Sequence, residues 1–288
     1  MRRLLIVGCG DVVRRVLPEL VRQWRVYALV REPEEELRAL GVLQIRGDLD
    51  RPATLGRLAG LAQAVLHSAP PAATGTTDTR TRQLIAALRR SGSLPRRLVY
   101  IGTSGVYGDC GGALVTETRS LRPCTPRARR RADAERQLRE FGRESDCSVA
   151  ILRAPGIYAA DRLPLERLKR GDPVLRAEED VYTNHIHAAD LGRACIKALQ
   201  RGRPNRVYHA SDDSAIRMGD WFDRLADAYG MARPPRTTRA EAERLLPPVM
   251  LSFMGESRRL DNTRLKKELK LALRYPTVDA GIAAALGK

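Results

Sequence analysis

Short apolar runs alternate with amphipathic stretches through the first half of the chain. Runs typical of buried strands occupy residues 3–8, 25–30, 42–46, 64–67, 97–101 and 149–152. Helical periodicity occurs between them, over residues 11–23, 33–41, 78–90 and 126–141. Near-continuous apolar strands that alternate with helices are typical of a parallel sheet covered by helices on both faces. The pattern therefore predicts an α/β fold with a parallel sheet.

The regular alternation of predicted strands and helices ends after Pro155. Residues 156–182 are rich in loop-forming residues, with one short helix near 163–169. The later pattern predicts a helix at 188–199, a strand near 206–209, a helix at 218–229 and further helices toward the end. We therefore predict a first domain over residues 1–155 and a C-terminal part over residues 156–288. The second part completes the sheet at about 183–210 and forms a small, mostly helical cap.

The chain is strongly basic, with a net charge of +17 at pH 7 over 288 residues, and arginine accounts for all but six of its 51 basic residues. Such a charge indicates a polyanion partner or an anionic small-molecule substrate. Biased composition is the alternative, because the arginines are spread along the whole chain. Aromatic residues make up only 5 %, which argues against a nucleic-acid surface built on base stacking. We therefore expect an anionic small molecule as partner rather than nucleic acid.

Apolar run length and cysteine usage bear on the location of the protein. No apolar run approaches the ~18 residues of a membrane span, so we expect no membrane association. The opening MRRLLIVGCGD is typical of a buried strand rather than a signal peptide. The five cysteines are odd in number and include no C-x-x-C pair, which fits neither a disulfide framework nor a zinc site. The sequence therefore predicts a cytoplasmic protein.

A glycine turn follows the first predicted strand directly. It reads Gly8-Cys9-Gly10-Asp11-Val12-Val13. The first glycine permits a tight turn, and the second lets backbone amides approach a diphosphate at a helix N-terminus. Val13 stands where dinucleotide-binding folds carry a third glycine or an alanine. The position between strand and helix favours a dinucleotide site, and a glycine turn without a ligand is the alternative.

The end of the second predicted strand bears on the choice of dinucleotide. NAD-binding folds usually carry an acid here, which accepts hydrogen bonds from the ribose hydroxyls, whereas an arginine pairs with a 2′-phosphate. Arg31 occupies this place and favours NADP over NAD, with an ordinary exposed arginine as the alternative. After the third strand, Asp48 either accepts a bond from the adenine amino group or shapes a turn.

Small and hydroxylated residues end the next two strands. Ser68-Ala69-Pro70-Pro71 follows the fourth strand and leaves room for a ligand across the sheet edge. Thr103 and Ser104 follow the fifth strand. Their hydroxyls can hydrogen-bond a carbonyl or an alcohol next to a nicotinamide.

Several segments give the chain a resemblance to a known family. They are the glycine turn, GDLD at 47–50, TSGVYG at 103–108, NHIHAADL at 184–191 and RYPTVDAG at 274–281. Over residues 4–286 the chain resembles the extended short-chain dehydrogenases/reductases, the NAD-dependent epimerase/dehydratase group. The resemblance implies a doubly wound, Rossmann-like dinucleotide-binding domain at 1–155 and a C-terminal substrate-binding part. Members of the family often act on nucleotide sugars.

The family's catalytic set is a Ser or Thr together with a Tyr and a Lys spaced Y-x-x-x-K. By resemblance, Thr103 takes the first place and would polarise the reacting oxygen. Arg127 stands in the tyrosine place, and Arg131 stands in the lysine place, where it would hold the cofactor ribose. An arginine cannot shuttle a proton at neutral pH, so the family's general acid/base is absent.

The two arginines share one face of the predicted helix, near its positive end. Either an anion such as a phosphate or a carboxylate is held there, or Asp133 and Glu135 partly neutralise an exposed basic face. The sequence leaves both interpretations open.

Other residues are weaker candidates for chemistry. Tyr107 and Tyr158 belong to turns that serve structure or ligand packing in the family, so we do not expect either to replace the missing acid. His185 and His187 form H-x-H without a third ligand nearby in sequence, and we expect no metal site. Trp221 and Phe222 lie in an amphipathic helix and are expected in the core.

The resulting hypothesis is an NAD(P)-binding, epimerase/dehydratase-like oxidoreductase that acts on a nucleotide sugar or another phosphorylated substrate. The alternative is a catalytically inactive NADP-binding sensor or scaffold. The expected cofactor contacts are Gly8, Gly10, Asp11, Val12, Arg31, Asp48, Leu49, Ala69, Pro70 and Pro155. The family often dimerises through the helices matching 78–90 and 126–141, so a homodimer is expected unless the arginines of the second helix oppose it.

Overall fold

Seven strands form one parallel sheet at the centre of the computed structural model, which describes residues 1–287 apart from the side chain at position 249. The strands are β1 (Arg3–Val7), β2 (Arg25–Val30), β3 (Leu43–Arg46), β4 (Ala64–His67), β5 (Arg97–Thr103), β6 (Ser148–Ala154) and β7 (Arg206–His209). Their order across the sheet is β7-β6-β5-β4-β1-β2-β3, and all neighbours are parallel. The order reverses between β1 and β4, which is where doubly wound sheets bind ligands. The predicted fold class is confirmed.

Helices cover both faces of this sheet. The α-helices along the described chain are α1 (Asp11–Arg14), α2 (Leu17–Gln23), α3 (Glu35–Ala39), α4 (Thr79–Leu88), α5 (Pro126–Glu144), α6 (Leu165–Lys169), α7 (Ala188–Arg201), α8 (Met218–Ala228), α9 (Arg239–Leu245), α10 (Pro248–Met254), α11 (Thr263–Leu269) and α12 (Val278–Ala285). Leu4 and Ile6 pack in one apolar cluster with residues of α2 and α7, whereas Leu5 and Val7 pack on the other side with residues of α4 and α5. Because both faces are buried, the strand is apolar at nearly every position.

The prediction of one continuous helix over residues 11–23 is wrong, because the structure has two helices there, α1 and α2. Pro18 accounts for the break. It has no amide hydrogen for the carbonyl of Arg14, and its ring would crowd that carbonyl in a continuous helix. A new helix begins at Leu17 instead, with the proline in its first turn, where proline is tolerated.

Val13, the valine in the third small-residue place of the glycine turn, is buried in the core. Close packing at this point depends on Gly192 of α7. A Cβ atom at Gly192 would lie 2.6 Å from Cγ1 of Val16 and 3.0 Å from the carbonyl oxygen of Val12. The missing side chain at Gly192 of α7 therefore allows the close packing that a third small residue in the glycine turn would otherwise allow.

Part of the chain after β6 forms a separate apolar cluster around α8 and α12, apart from the two clusters on the faces of the sheet, and it includes Trp221 and Leu225. Four short strand pairs occur outside the central sheet: Gly156–Tyr158 with His185–His187, Tyr182–Thr183 with Ile216–Arg217, Val174–Leu175 with Arg236–Thr237, and Leu114–Val115 with Arg259–Leu260. The division of the chain at residue 155 stays a prediction. Within residues 1–287, no helix combines the length and apolar character needed to cross a bilayer.

Candidate functional site

A groove of about 550 Å³ runs along the carboxyl ends of the central strands, and we call it the sheet-edge groove. All residues expected to contact a cofactor line it: Gly8, Gly10, Asp11, Val12, Arg31, Asp48, Leu49, Ala69, Pro70 and Pro155. Thr103 and Arg131 line it too. The fold thus brings residues from seven separate segments of the chain to one edge of the sheet.

The two glycines of the turn have different structural roles. Gly8 has a φ of +91°, and a Cβ atom there would lie 2.4 Å from the backbone nitrogen of Ala69, so β1 and the loop after β4 meet closely only with glycine. Gly10 precedes α1, and a Cβ atom there would meet nothing within 4 Å. The space beside Gly10 and the free amides at the start of α1 fit the diphosphate of a dinucleotide.

The side chain of Asp11 ties this turn to a distant loop. Its carboxylate lies 2.8 Å from the guanidinium of Arg15 and 2.8 Å from that of Arg162. Arg162 also lines the groove, and it could not be assigned from the sequence because residues 156–182 show no clear periodicity. Asp11 therefore holds Arg162 at the rim of the site.

Arg31 lies exposed at the end of β2, where the groove adjoins a further cavity lined by Arg46, Arg51 and Arg57. Oδ1 of Asp48 accepts a bond of 3.0 Å from the amide of Asp50, so this carboxylate shapes a turn, as one of the two interpretations expected. This end of the groove is rich in positive charge.

Glu34 was not expected at this end, yet it lines the groove. Its carboxylate is paired with Arg14, which also bonds Glu36 and the carbonyl oxygen of Cys9. Glu34 and Glu36 therefore tie the start of α3 to α1 through this arginine.

Thr103 ends β5 and caps the short turn that follows it. Its Oγ1 accepts a bond of 3.2 Å from the amide of Gly105, which leaves the hydroxyl hydrogen free to donate into the groove. Arg131 reaches the same region from α5, where its Nη1 donates to the hydroxyl of Tyr100 at 3.1 Å and to the carbonyl of Ile101 at 3.0 Å. Neutral protein groups therefore hold this guanidinium in place.

The acids that could neutralise Arg127 and Arg131 are engaged elsewhere. Glu135 is buried against Arg153, with 2.6 Å between its Oε2 and the arginine Nη2. Asp133 accepts bonds from Arg136 and Gln137 and from the amide of Asp78. The interpretation of a basic face neutralised by these two acids is therefore wrong. The guanidinium of Arg127 instead lies over the ring of Phe253, 5.6 Å from its centroid.

The hydroxyls of Tyr107 and Tyr158 both bond other residues of the protein, as expected of residues with a structural role. Burial raises the pKa of Tyr107 to about 12, and its hydroxyl bonds Nε2 of His209 at 2.6 Å. The hydroxyl of Tyr158 donates to the carbonyl of Thr277 at 3.3 Å, and burial raises its pKa as well. Neither residue lines the sheet-edge groove, and neither hydroxyl can release a proton easily at neutral pH.

His187, the second histidine of H-x-H, caps a helix. Its Nδ1 accepts a bond of 3.2 Å from the amide of Ala189 at the start of α7. Across residues 1–287, no group of three or more His, Cys, Asp or Glu side chains is arranged to hold a metal ion.

A second cavity, of about 440 Å³, adjoins the sheet-edge groove. The two share five lining residues: Thr103, Arg127, Pro155, Ile157 and Arg162. Aromatic rings and arginines make up much of the remaining wall, including Tyr182, Trp221, Phe222, Arg167 and Arg258. Trp221 and Phe222 belong to the core as expected, with exposed fractions of 5 % each, and they also face this cavity.

Comparisons with known proteins agree with this architecture. A protein of unknown function from Silicibacter pomeroyi is 27 % identical and has a TM-score of 0.80, over 100 % of this chain and 99 % of that chain. The UDP-glucose 4-epimerase of Thermotoga maritima, solved with UDP-glucose, is 17 % identical with a TM-score of 0.79, over 99 % and 97 %. The UDP-glucuronic acid 4-epimerase of Bacillus cereus, solved with NAD, is 15 % identical with a TM-score of 0.76, over 98 % and 96 %.

At the level of sequence, no curated protein matches the chain. The model of the NAD dependent epimerase/dehydratase family matches residues 11–211, which is more than half of the sequence and includes the groove residues from Asp11 to Pro155. The chain therefore belongs to the NAD-dependent epimerase/dehydratase family.

Proposed function

We propose that this chain is an oxidoreductase of its family that binds a pyridine dinucleotide in the sheet-edge groove and a nucleotide sugar in the second cavity. The observation that carries the proposal is the wall that the two cavities share, at Thr103, Arg127 and Pro155. A hydride passes only between atoms held in contact, so a cofactor site and a substrate site must open onto each other. Similar proteins solved with NAD or UDP-glucose support the choice of ligands.

Two residues have proposed roles at the junction. Thr103 donates its free hydroxyl hydrogen to the reacting oxygen of the substrate, and Arg131, held by Tyr100, contacts the cofactor ribose. The dinucleotide itself would supply the hydride acceptor. Arg127 faces both cavities and carries the charge that an anionic substrate group requires.

The positive charge at the adenosine end supports NADP as the preferred cofactor. Arg31, Arg46, Arg51 and Arg57 line this end. Glu32 pairs with Arg46 there, and the charge of Glu34 is paired with Arg14. A 2′-phosphate would therefore meet arginines that are not matched by an equal number of acids.

Arg31→Asp is expected to weaken NADPH binding about 10- to 100-fold, because a charge-assisted bond worth about 1.5–3 kcal/mol is replaced by repulsion. NADH binding is expected to stay the same or to strengthen, since the new acid can accept bonds from the ribose hydroxyls. Titration of cofactor fluorescence measures both affinities. Arg22→Asp makes the same change of charge on α2, outside the groove, and should leave both affinities unchanged. Retained NADPH affinity in Arg31→Asp would refute the NADP assignment.

A cofactor-binding sensor without hydride chemistry is the second candidate function. It is favoured by Arg127 and Arg131, because neither guanidinium can move a proton at neutral pH. The two functions are separated by incubating the NADP⁺-loaded protein with UDP-glucose, UDP-glucuronic acid and dTDP-glucose and analysing the sugars by mass spectrometry and NMR. Epimerised, dehydrated or oxidised product supports the enzyme, and unchanged sugars despite bound cofactor support the sensor.

A cytoplasmic location and a homodimer through α4 and α5 stay predictions. The five cysteines are unpaired. On α5 the side chain of Arg136 pairs with Asp133 and Glu140 of its own helix, which reduces the arginine crowding expected to oppose such a dimer.

A further inference from the structure

A buried histidine in the wall of the second cavity has no part in the function proposed above. His185 is only 5 % exposed and lines this cavity. Its strand pairs in parallel register with Gly156–Tyr158, so that His185 lies opposite Gly156, the residue after Pro155. Its carbonyl oxygen accepts a bond of 2.7 Å from the amide of Asp212. The backbone therefore fixes this side chain close to the junction of the two cavities.

The ring of His185 packs as an aromatic residue would. Its centroid lies 4.5 Å from that of Trp221 and 6.1 Å from that of Tyr158. Phenylalanine would satisfy such packing without polar atoms. The imidazole instead carries two polar nitrogens, and a nitrogen that is buried without a hydrogen-bond partner costs free energy.

The two ring nitrogens differ in their surroundings. Nδ1 is enclosed and has no hydrogen-bond partner. No residue in the described part of the chain bonds Nε2 either, and this atom is not enclosed, so it lies at the cavity wall. Burial lowers the pKa of His185 to about 3, and the ring is neutral at pH 7. A neutral ring carries one proton, and only Nε2 can find an acceptor for it.

We propose that His185 is a specificity-determining residue of the second cavity, whose neutral imidazole donates from Nε2 to a hydroxyl oxygen of the sugar in a bound nucleotide sugar. This inference rests on the proposed function. Arg127, Arg162 and Arg258 in the same wall have the charge to bind the diphosphate, whereas an uncharged donor is suited to a sugar oxygen. A bound sugar would satisfy a donor that the protein leaves without a partner.

The test compares His185→Phe and His185→Gln with the wild type in the presence of NADP⁺. UDP-glucose, UDP-glucuronic acid and dTDP-glucose are each titrated by calorimetry. His185→Phe keeps the ring packing and is expected to bind the best of these sugars about tenfold more weakly, whereas His185→Gln keeps a donor and stays within about threefold. NADP⁺ affinity should be equal in all three proteins.

Nitrogen NMR of the histidine rings gives a readout that packing alone would not move. The chain has only four histidines, so the ring nitrogen signals of His185 can be assigned by comparison with the spectrum of His185→Phe. We expect a neutral ring protonated at Nε2, with a shift of the Nε2 signal when the sugar nucleotide binds. A proton on Nδ1, or an Nε2 signal unchanged by bound sugar nucleotide, would overturn the inference.

The binding outcomes separate this inference from the proposed function. If the wild type and His185→Phe bind the sugar nucleotide equally, His185 is not a specificity residue and the proposed function stands. If the wild type binds NADP⁺ but none of the three sugar nucleotides, the nucleotide-sugar proposal fails, and the inference fails with it. If His185→Phe loses NADP⁺ affinity by the same factor as it loses sugar-nucleotide affinity, the ring acts through packing, and this result would contradict the inference.

Discussion

Arg153→Met is expected to lower the free energy of unfolding by about 3–5 kcal/mol, because it leaves the buried carboxylate of Glu135 without its partner. Both side chains are 2 % exposed. Nε and Nη2 of Arg153 donate to the two carboxylate oxygens of Glu135, at 3.0 and 2.6 Å. Its Nη1 also bonds the hydroxyl of Tyr107, which belongs to the turn after Thr103. The pair thus connects β6 and α5 beneath the proposed reaction site.

Urea denaturation of the wild type, the single variant and Arg153→Met/Glu135→Met measures this effect. Replacing both charges by apolar side chains removes the unpaired carboxylate, so the double variant is expected to recover a large part of the lost stability. A double variant that is less stable than Arg153→Met would contradict this account of the ion pair.

Gly8→Ala is expected to lower the free energy of unfolding by about 2–5 kcal/mol and to abolish cofactor binding. The positive φ of Gly8 costs a non-glycine residue about 1–2 kcal/mol, and the clash with the backbone of Ala69 adds about 1–3 kcal/mol of overpacking. Gly10→Ala should leave stability almost unchanged, since its methyl group meets only open space. It should nevertheless weaken NADP⁺ binding at least tenfold, because that space is where we place the diphosphate.

Gly41→Ala is the matched control for these two variants. Gly41 also has a positive φ, of +79°, and open space around it, but it lies outside the groove. Gly41→Ala should lower the free energy of unfolding and leave the NADP⁺ affinity unchanged. Should Gly10→Ala bind NADP⁺ as tightly as the wild type, the diphosphate lies elsewhere.

The sheet and its ligand edge could be predicted because local signals carry them. Most of the central strands are short apolar runs, and the residues after β1, β2, β4 and β5 reach the same edge in any doubly wound sheet. For this reason Gly8, Arg31, Ala69 and Thr103 could be assigned to one site although they are up to 95 residues apart. Among the predicted elements, the helix after the glycine turn required a correction, because the effect of Pro18 was overlooked.

The second cavity could not be predicted, because residues remote from one another along the chain form it. Thr103, His185, Trp221 and Phe253 come from separate segments, and no periodicity connects them. The partner of Glu135 was missed for a similar reason. Its pairing with Arg153 joins a helix to a strand, and the sequence showed only that Glu135 lies four residues after Arg131.

The central claim is that the backbone amides of the glycine turn and the open space beside Gly10 hold the diphosphate of a pyridine dinucleotide. Calorimetric titration of the purified wild-type chain with NADP⁺ and with NAD⁺ tests it most directly. We predict saturable binding of NADP⁺ to one site per chain, with NAD⁺ weaker. Absence of binding by both nucleotides would contradict the account.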